Sequence, residues 1–217
     1  QVENCLFRFG GAGNNGMALA TNTSSPTIAN SDFSDSYYGI NLTNQAAPTV
    51  TNVRFSNMSR APIGMELNTS PSLSNVVIDL PSGNTYDGIE ITDGNVSGSA
   101  VLSPAPAIYG GAPTHCLSYF TNQNITVDAG ETLAVNAGVV LKFMSSRHLA
   151  VNGTLLAMGS PGDTGAIYFT SIDDDNAPDP TGQDTNTNGN DTFPDSSDWG
   201  GIRFGGTSTN ACELSYS

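Results

Sequence analysis

SPTIANSDF (residues 25–33), APTVTNVRF (47–55) and SPSLSNVVI (70–78) are three copies of one pattern. Each opens on a small residue and a proline, alternates apolar with polar side chains, and carries an asparagine at the same place. Farther along each copy a glycine precedes alternating apolar residues: GINL from Gly39, GMEL from Gly64 and GIEI from Gly88. NCLF from Asn4 and GMAL from Gly16 fit the same template, and equivalent positions lie 22 to 25 residues apart. Self-similarity at such a period marks a repeat architecture.

Stacking the copies predicts columns. Ile28, Val50 and Leu73 form one, and Phe7, Phe33, Phe55 and Ile78 another. Matching the glycines gives a third of Met17, Ile40, Met65 and Ile89, with Leu19, Leu42, Leu67 and Ile91 beside it. A fifth is polar, made of Asn4, Asn30, Asn52 and Asn75. Asparagine at a fixed turn position tolerates left-handed φ, and stacked asparagines hydrogen-bond to one another. Short strands of period two, broken by Gly, Asn and Pro every eight or so residues, exclude helical repeats. The leucine-rich L-x-x-L-x-L pattern is absent. The expected fold is an all-β, right-handed parallel β-helix, each coil pairing with the next at about 4.8 Å. About eight coils would rise roughly 40 Å.

The later part of the chain continues in less regular coils. AGVVLKF (137–143), LAVNGTLLAMGS (149–160), IYFTSIDDD (167–175) and an Asp/Asn-rich stretch ending in DWGGIRF (198–204) follow one another. This run, covering most of 125–206, resembles the repeat region of large bacterial secreted or surface proteins of the right-handed β-helix class. The coils before it resemble the generic repeats shared with pectate-lyase-like proteins. The resemblance implies the fold but no single function, because this architecture carries enzymes, adhesins and spacers alike.

Composition narrows the field. Twenty Asp and Glu stand against six Lys and Arg, a formal net charge of −14, which argues against nucleic acid and anionic membranes as partners. No apolar run is long enough to insert in a bilayer. Low charge density with abundant Asn, Ser, Thr and Gly suits an extracellular or cell-surface β-protein. Sequons begin at Asn22, Asn41, Asn57, Asn68, Asn95, Asn124, Asn152 and Asn190; chance explains most of them in so Asn-rich a chain, and glycosylation is the alternative. Cys5, Cys116 and Cys212 are an odd set, read as buried free thiols.

The ending ELSYS reads as a strand with a bare edge, Leu214 and Tyr216 alternating with serines. RFGG occurs at 8–11 and again at 203–206. If another copy followed Ser217, the two stretches would lie one coil apart. The whole of 1–217 is thus expected to be one period of a longer solenoid that associates with itself head to tail. Arg8, Phe9, Arg203, Phe204, Leu214 and Tyr216 would line its ends.

One segment has the spacing of a calcium site. In DTNTNGNDTFPD (184–195), Asp184, Asn186 and Asn188 occupy positions 1, 3 and 5 of an EF-hand-type loop, with Gly189 at 6. Asn190 follows at 7, Thr192 at 9 and Asp195 at 12. Ca²⁺ takes six to eight hard oxygens, which such a loop supplies. Asp173, Asp174 and Asp175 add negative charge. An acidic insertion over 173–198, pinned to the rod by structural Ca²⁺, is the expectation. Carboxylates that might serve catalysis are scattered: Asp32 with Asp35, and Asp87, Glu90 and Asp93, the latter read as solvated surface. Arg54 and Arg60 are the nearby bases, and His115 and His148 are isolated. The leading reading is therefore a non-enzymatic extracellular fibre or spacer. The alternatives are a carbohydrate-binding or adhesive module displaying Tyr37, Tyr38 and Tyr86 to polysaccharide, and a polysaccharide lyase or glycoside hydrolase.

Overall fold

The computed structural model describes residues 1–10, 16–161, 165–177, 183–189, 193–205 and 213–216, with the backbone alone for 112–115 and 213–216. Among these the regular structure is entirely β. The longest sheet stacks seven parallel strands, one from each coil: Met17–Asn22, Tyr38–Thr43, Ala61–Glu66, Ile89–Asp93, Tyr119–Thr121, Val140–Phe143 and Tyr168–Ser171. That is seven coils among the described residues, against about eight expected.

A second sheet joins Val2–Glu3 and Leu6–Arg8 to Thr27–Ser34, then Thr49–Ser56, Ser72–Ile78 and Pro106–Tyr109. It stops at Ala112–Cys116, which turns back antiparallel on Pro106–Tyr109. From there the coil changes cross-section. Two four-stranded parallel sheets take over, starting at Asn95–Val96 and Ser99–Leu102 and ending at Ile202–Phe204 and Glu213–Tyr216.

The second sheet bends at its asparagines. Asn4, Asn30, Asn52 and Asn75 have φ between 48° and 53°, the left-handed region. The asparagine amide of Asn52 donates to Asn30 at 3.0 Å and that of Asn75 to Asn52 at 2.6 Å. A parallel rung forms where Asn44 donates to Asn22 at 3.1 Å. The expected polar column is therefore a hydrogen-bonded ladder that fixes one corner of each coil. Inside it, Phe7 stacks on Phe33 with ring centroids 4.8 Å apart, and Phe33 on Phe55 at 5.3 Å.

The third column is registered differently from the glycine alignment. Leu19, Ile40, Ile63 and Ile89 stack in one row, and Thr21, Leu42, Met65 and Ile91 in the next. Gly64 thus aligns with Asn41, not with Gly39. A slip of two residues keeps every side chain on its own face, so alternation of apolar residues cannot detect it. The two RFGG stretches also fall in different sheets: Arg8 lies opposite Ser34 and Arg203 opposite Ala150. Their likeness is one of sequence, not of register.

Left-handed backbone at Asn52 favours glycine over any residue with a Cβ and no local amide. Asn52→Gly should cost less stability than Asn52→Ala, which carries a conformational penalty of about 1–2 kcal/mol. Urea unfolding of the two variants checks this; equal losses would show that the ladder hydrogen bonds alone matter.

Candidate functional site

Over its middle coils, from Gly64 to Lys142, the long sheet buries its outer face as well as its inner one. Its outward column runs Ala20, Asn41, Gly64, Glu90, Phe120, Lys142 and Thr170. At Gly64 the missing side chain leaves room for Tyr38; a Cβ there would sit 3.1 Å from the tyrosine ring. Tyr38 fills the gap and its hydroxyl donates to Glu90 at 2.7 Å. Arg60 grips the same carboxylate with two N–H donors, Nε at 2.6 Å and Nη2 beside it. Its guanidinium lies 4.6 Å above the Tyr86 ring, which stacks on Phe120. Fork-to-carboxylate pairing plus an aromatic face is the setting in which arginine tolerates burial.

Lys142 is the only lysine in the chain, and it is wholly buried. Its ammonium donates at 2.7 Å to the carbonyls of Asp174 and Gln183. Burial pushes it down to about 8, while the surrounding Asp174, Asp175, Asp184 and Asp173 pull it back up. On its inner side the acidic segment thus faces a buried cation of the protein's own.

Residues 183–189 lie as a strap along the outer face of the long sheet, reaching coils far back in sequence. Gln183 is buried; its side-chain oxygen accepts from Ser118 N at 2.9 Å and Ser118 Oγ at 2.7 Å, and its amide donates to the Asp87 carbonyl. Asp87 N donates to the Thr185 carbonyl at 2.8 Å. Thr187 Oγ1 reaches the carbonyls of Asn84 and Thr85, and the Tyr109 hydroxyl donates to the Asp184 carbonyl at 3.1 Å. From Asp87 through Ser118 to Lys142, three successive coils are tied to the strap, an axial span of roughly 10 Å, and Asn186 adds a bond to Asp173.

Asp87 is fully buried beneath the strap. Desolvation drives its carboxyl up to about 6 against hydrogen bonds from Asn84 and Ser82 that hold it down. Asp87 and Glu90 are therefore structural members, not solvated surface, whereas Asp93 is exposed as expected. Tyr38 is buried and Tyr86 and Tyr37 are half-buried around Arg60, so the three tyrosines form no exposed platform. Asp32 and Arg54 pair across adjacent strands of the second sheet, and Arg54 bridges to Asp79.

The calcium-spaced residues divide. Asp184 accepts from Asn188 N at 3.2 Å and Gly189 N at 2.9 Å, and Gly189 adopts φ +91°, so the loop turns where the spacing predicts. Asn186 donates to Asp173 at 2.9 Å, and its side-chain oxygen is buried without a hydrogen-bond partner among the described residues. Asp195 takes part in a local turn with Ser196 and Asp198. Asn190 and Thr192 lie outside the described residues. Among the described residues no three acidic, His or Cys side chains gather as a metal cluster.

Other expected residues are placed as follows. Asn22, Asn57, Asn95 and Asn124 are exposed, and Asn41, Asn68 and Asn152 half-buried; Asn57 donates to Asp35, and Asn124 accepts from His148 N. Asn190 is again outside the described residues. Arg8 and Arg203 are exposed, as are Phe9 (77%) and Phe204 (47%). Leu214 and Tyr216 lie in the strand paired with Thr154–Gly159. Cys5 is exposed and Cys116 half-buried, both free; the expectation of buried thiols fails for Cys5, and Cys212 is outside the described residues. Sequence reasoning missed Lys142, Gln183 and the Arg60–Glu90 pair. The one available signal was a solitary lysine inside the apolar strand VVLKF.

A rod of parallel coils with stacked apolar columns and an asparagine corner defines a parallel β-solenoid. The model of the right handed beta helix region matches residues 1–141, and the chain belongs to that family. No curated protein and no solved structure matches the chain.

Two outcomes follow from the buried charges. Because the folded state holds the Lys142 proton less tightly than the unfolded chain, stability should climb by about 1.4 kcal/mol per pH unit between pH 8 and the ordinary lysine value. This gain, fully present above that value and lost as pH falls through 8, should vanish from the urea-unfolding profile of Lys142→Met. Removing Arg60 strands the buried Glu90 carboxylate, so Arg60→Ala should lose about 3–5 kcal/mol in the same assay, and Glu90→Gln should recover part of it.

Proposed function

We propose that this protein is a structural rod, an extracellular fibre or cell-surface spacer, whose copies associate head to tail and whose acidic loop binds calcium. The observation that carries this reading is the closed outer face of the long sheet. There Glu90, Arg60, Tyr38, Asp87 and Lys142 are hydrogen-bonded to each other and to the strap. Ionisable groups spent in this way hold the rod together; they do not face a substrate. Head-to-tail association is supported by exposed apolar side chains near both ends of the described rod, Leu6 and Phe9 at one and Phe204 at the other. Since the RFGG stretches are out of register, the copies would meet as separate end faces.

Calcium is supported by the turn around Asp184 and Gly189 and by the unpartnered Asn186 oxygen, an acceptor with nothing to accept from. Asp184, Asn186, Asn188 and Asp195 would hold it, with Asn190 and Thr192. Bound there, the ion would neutralise the outer side of the loop as Lys142 does the inner.

Native material should show filaments by negative-stain microscopy; after boiling in SDS and reductant, a band near 22.4 kDa would mean stacked subunits and a very high mass covalent repeats. Discrete particles that never lengthen would end the fibre reading. The melting temperature should rise by several degrees in millimolar calcium over chelator, and an unchanged value would remove the ion from the account.

A further inference from the structure

The strap is, in effect, a short peptide bound to its own protein. Its residues 183–189, Gln-Asp-Thr-Asn-Thr-Asn-Gly, include no apolar side chain. What holds them is hydrogen bonding, much of it side-chain-specific. The Gln183 amide uses both ends, accepting from Ser118 and donating to Asp87. Thr185 is fully buried, and its carbonyl takes the Asp87 amide proton. Lys142 closes on the Gln183 carbonyl. We infer that the face made by Asp87, Tyr109, Ser118 and Lys142 is a peptide-binding seat for a Gln-x-Thr segment, filled by the chain's own strap and able to take the same segment from a second copy of this chain.

Three physical facts support exchange. Water replaces the strap's hydrogen bonds at modest net cost, whereas opening a coil exposes apolar columns, so the strap is the weaker element. The coils beneath also pair strand to strand with their neighbours, independently of the strap. The seat also discriminates: a segment lacking the glutamine amide would leave the Ser118 donors and the Asp87 carbonyl buried and unpaired. Within one chain the strap wins by effective concentration. A second copy's strap competes only when two rods lie side by side, and there swapping an identical element costs little. That last step needs a lateral contact between rods in addition to the head-to-tail association proposed above; binding of the peptide needs neither.

The test uses the full chain and a fluorescein-labelled peptide of residues 183–189, read by fluorescence anisotropy. Gln183→Ala weakens the internal competitor and leaves the seat intact, so it should bind the peptide at least tenfold more tightly than the unaltered protein. A peptide with alanine in place of the glutamine should bind neither. Equal binding to both proteins, or none to the variant while its far-UV circular dichroism stays that of a β-rod, overturns the seat. Loss of the β signal in Gln183→Ala overturns it too, because the strap would then be integral to the rod. Failure to find filaments leaves this result untouched.

Discussion

Apart from the hairpin at Pro106–Cys116, the described strands direct their backbone donors and acceptors along the rod, toward the coils above and below. Such a strand cannot satisfy itself within its own coil. The chain must therefore return to the same place after each circuit, and it does so by spending asparagine at a corner that most residues cannot enter. The ladder from Asn30 through Asn52 to Asn75 serves register twice: the backbone turn sets where a coil bends, and the side-chain bonds tie that bend to the next one. The stacked phenylalanines and isoleucines inside follow from this alignment.

The outer face of the long sheet shows what happens when such a surface is covered. A strand normally leaves that face to water, where a lysine or glutamate is unremarkable. Beneath the strap, the same residues must find partners or be expelled. Lys142 finds two carbonyls within an aspartate-rich segment, and Glu90 finds Arg60 and Tyr38. Position is thereby specified as well as stability, since each charged group fits one arrangement of its neighbours only.

What could be read from the sequence was what repeats locally. The phenylalanine and asparagine columns of residues 4–78 were legible because both chemical identity and spacing recur. The row containing Ile63 was placed two residues out, because Gly64 invited alignment with Gly39 and a two-residue slip preserves facing. The turn around Gly189 was legible from spacing alone. The strap was not, because its partners in the coils beneath lie 41 to 103 residues away and share no periodicity with it. The tyrosines looked exposed for a similar reason: only the gap at Gly64 and the presence of Arg60 reveal that Tyr38 turns inward. Lys142 stood in plain view as a lone cation in an apolar strand, but its meaning depends on a segment that returns to it across 41 residues.

A solenoid held only between neighbours gives way to a pull along its axis one coil at a time, like a seam. The strap changes that for part of this rod. Between Asp87 and Lys142 a separating coil must also shed contacts made to a segment anchored on other coils, so load is shared across the whole strapped length. The coils from Thr27 to Ile78 have no such tie among the described residues. Tension would therefore peel the first half in small steps and meet a stiffer, brittle block in the second, giving the rod a built-in order of yielding.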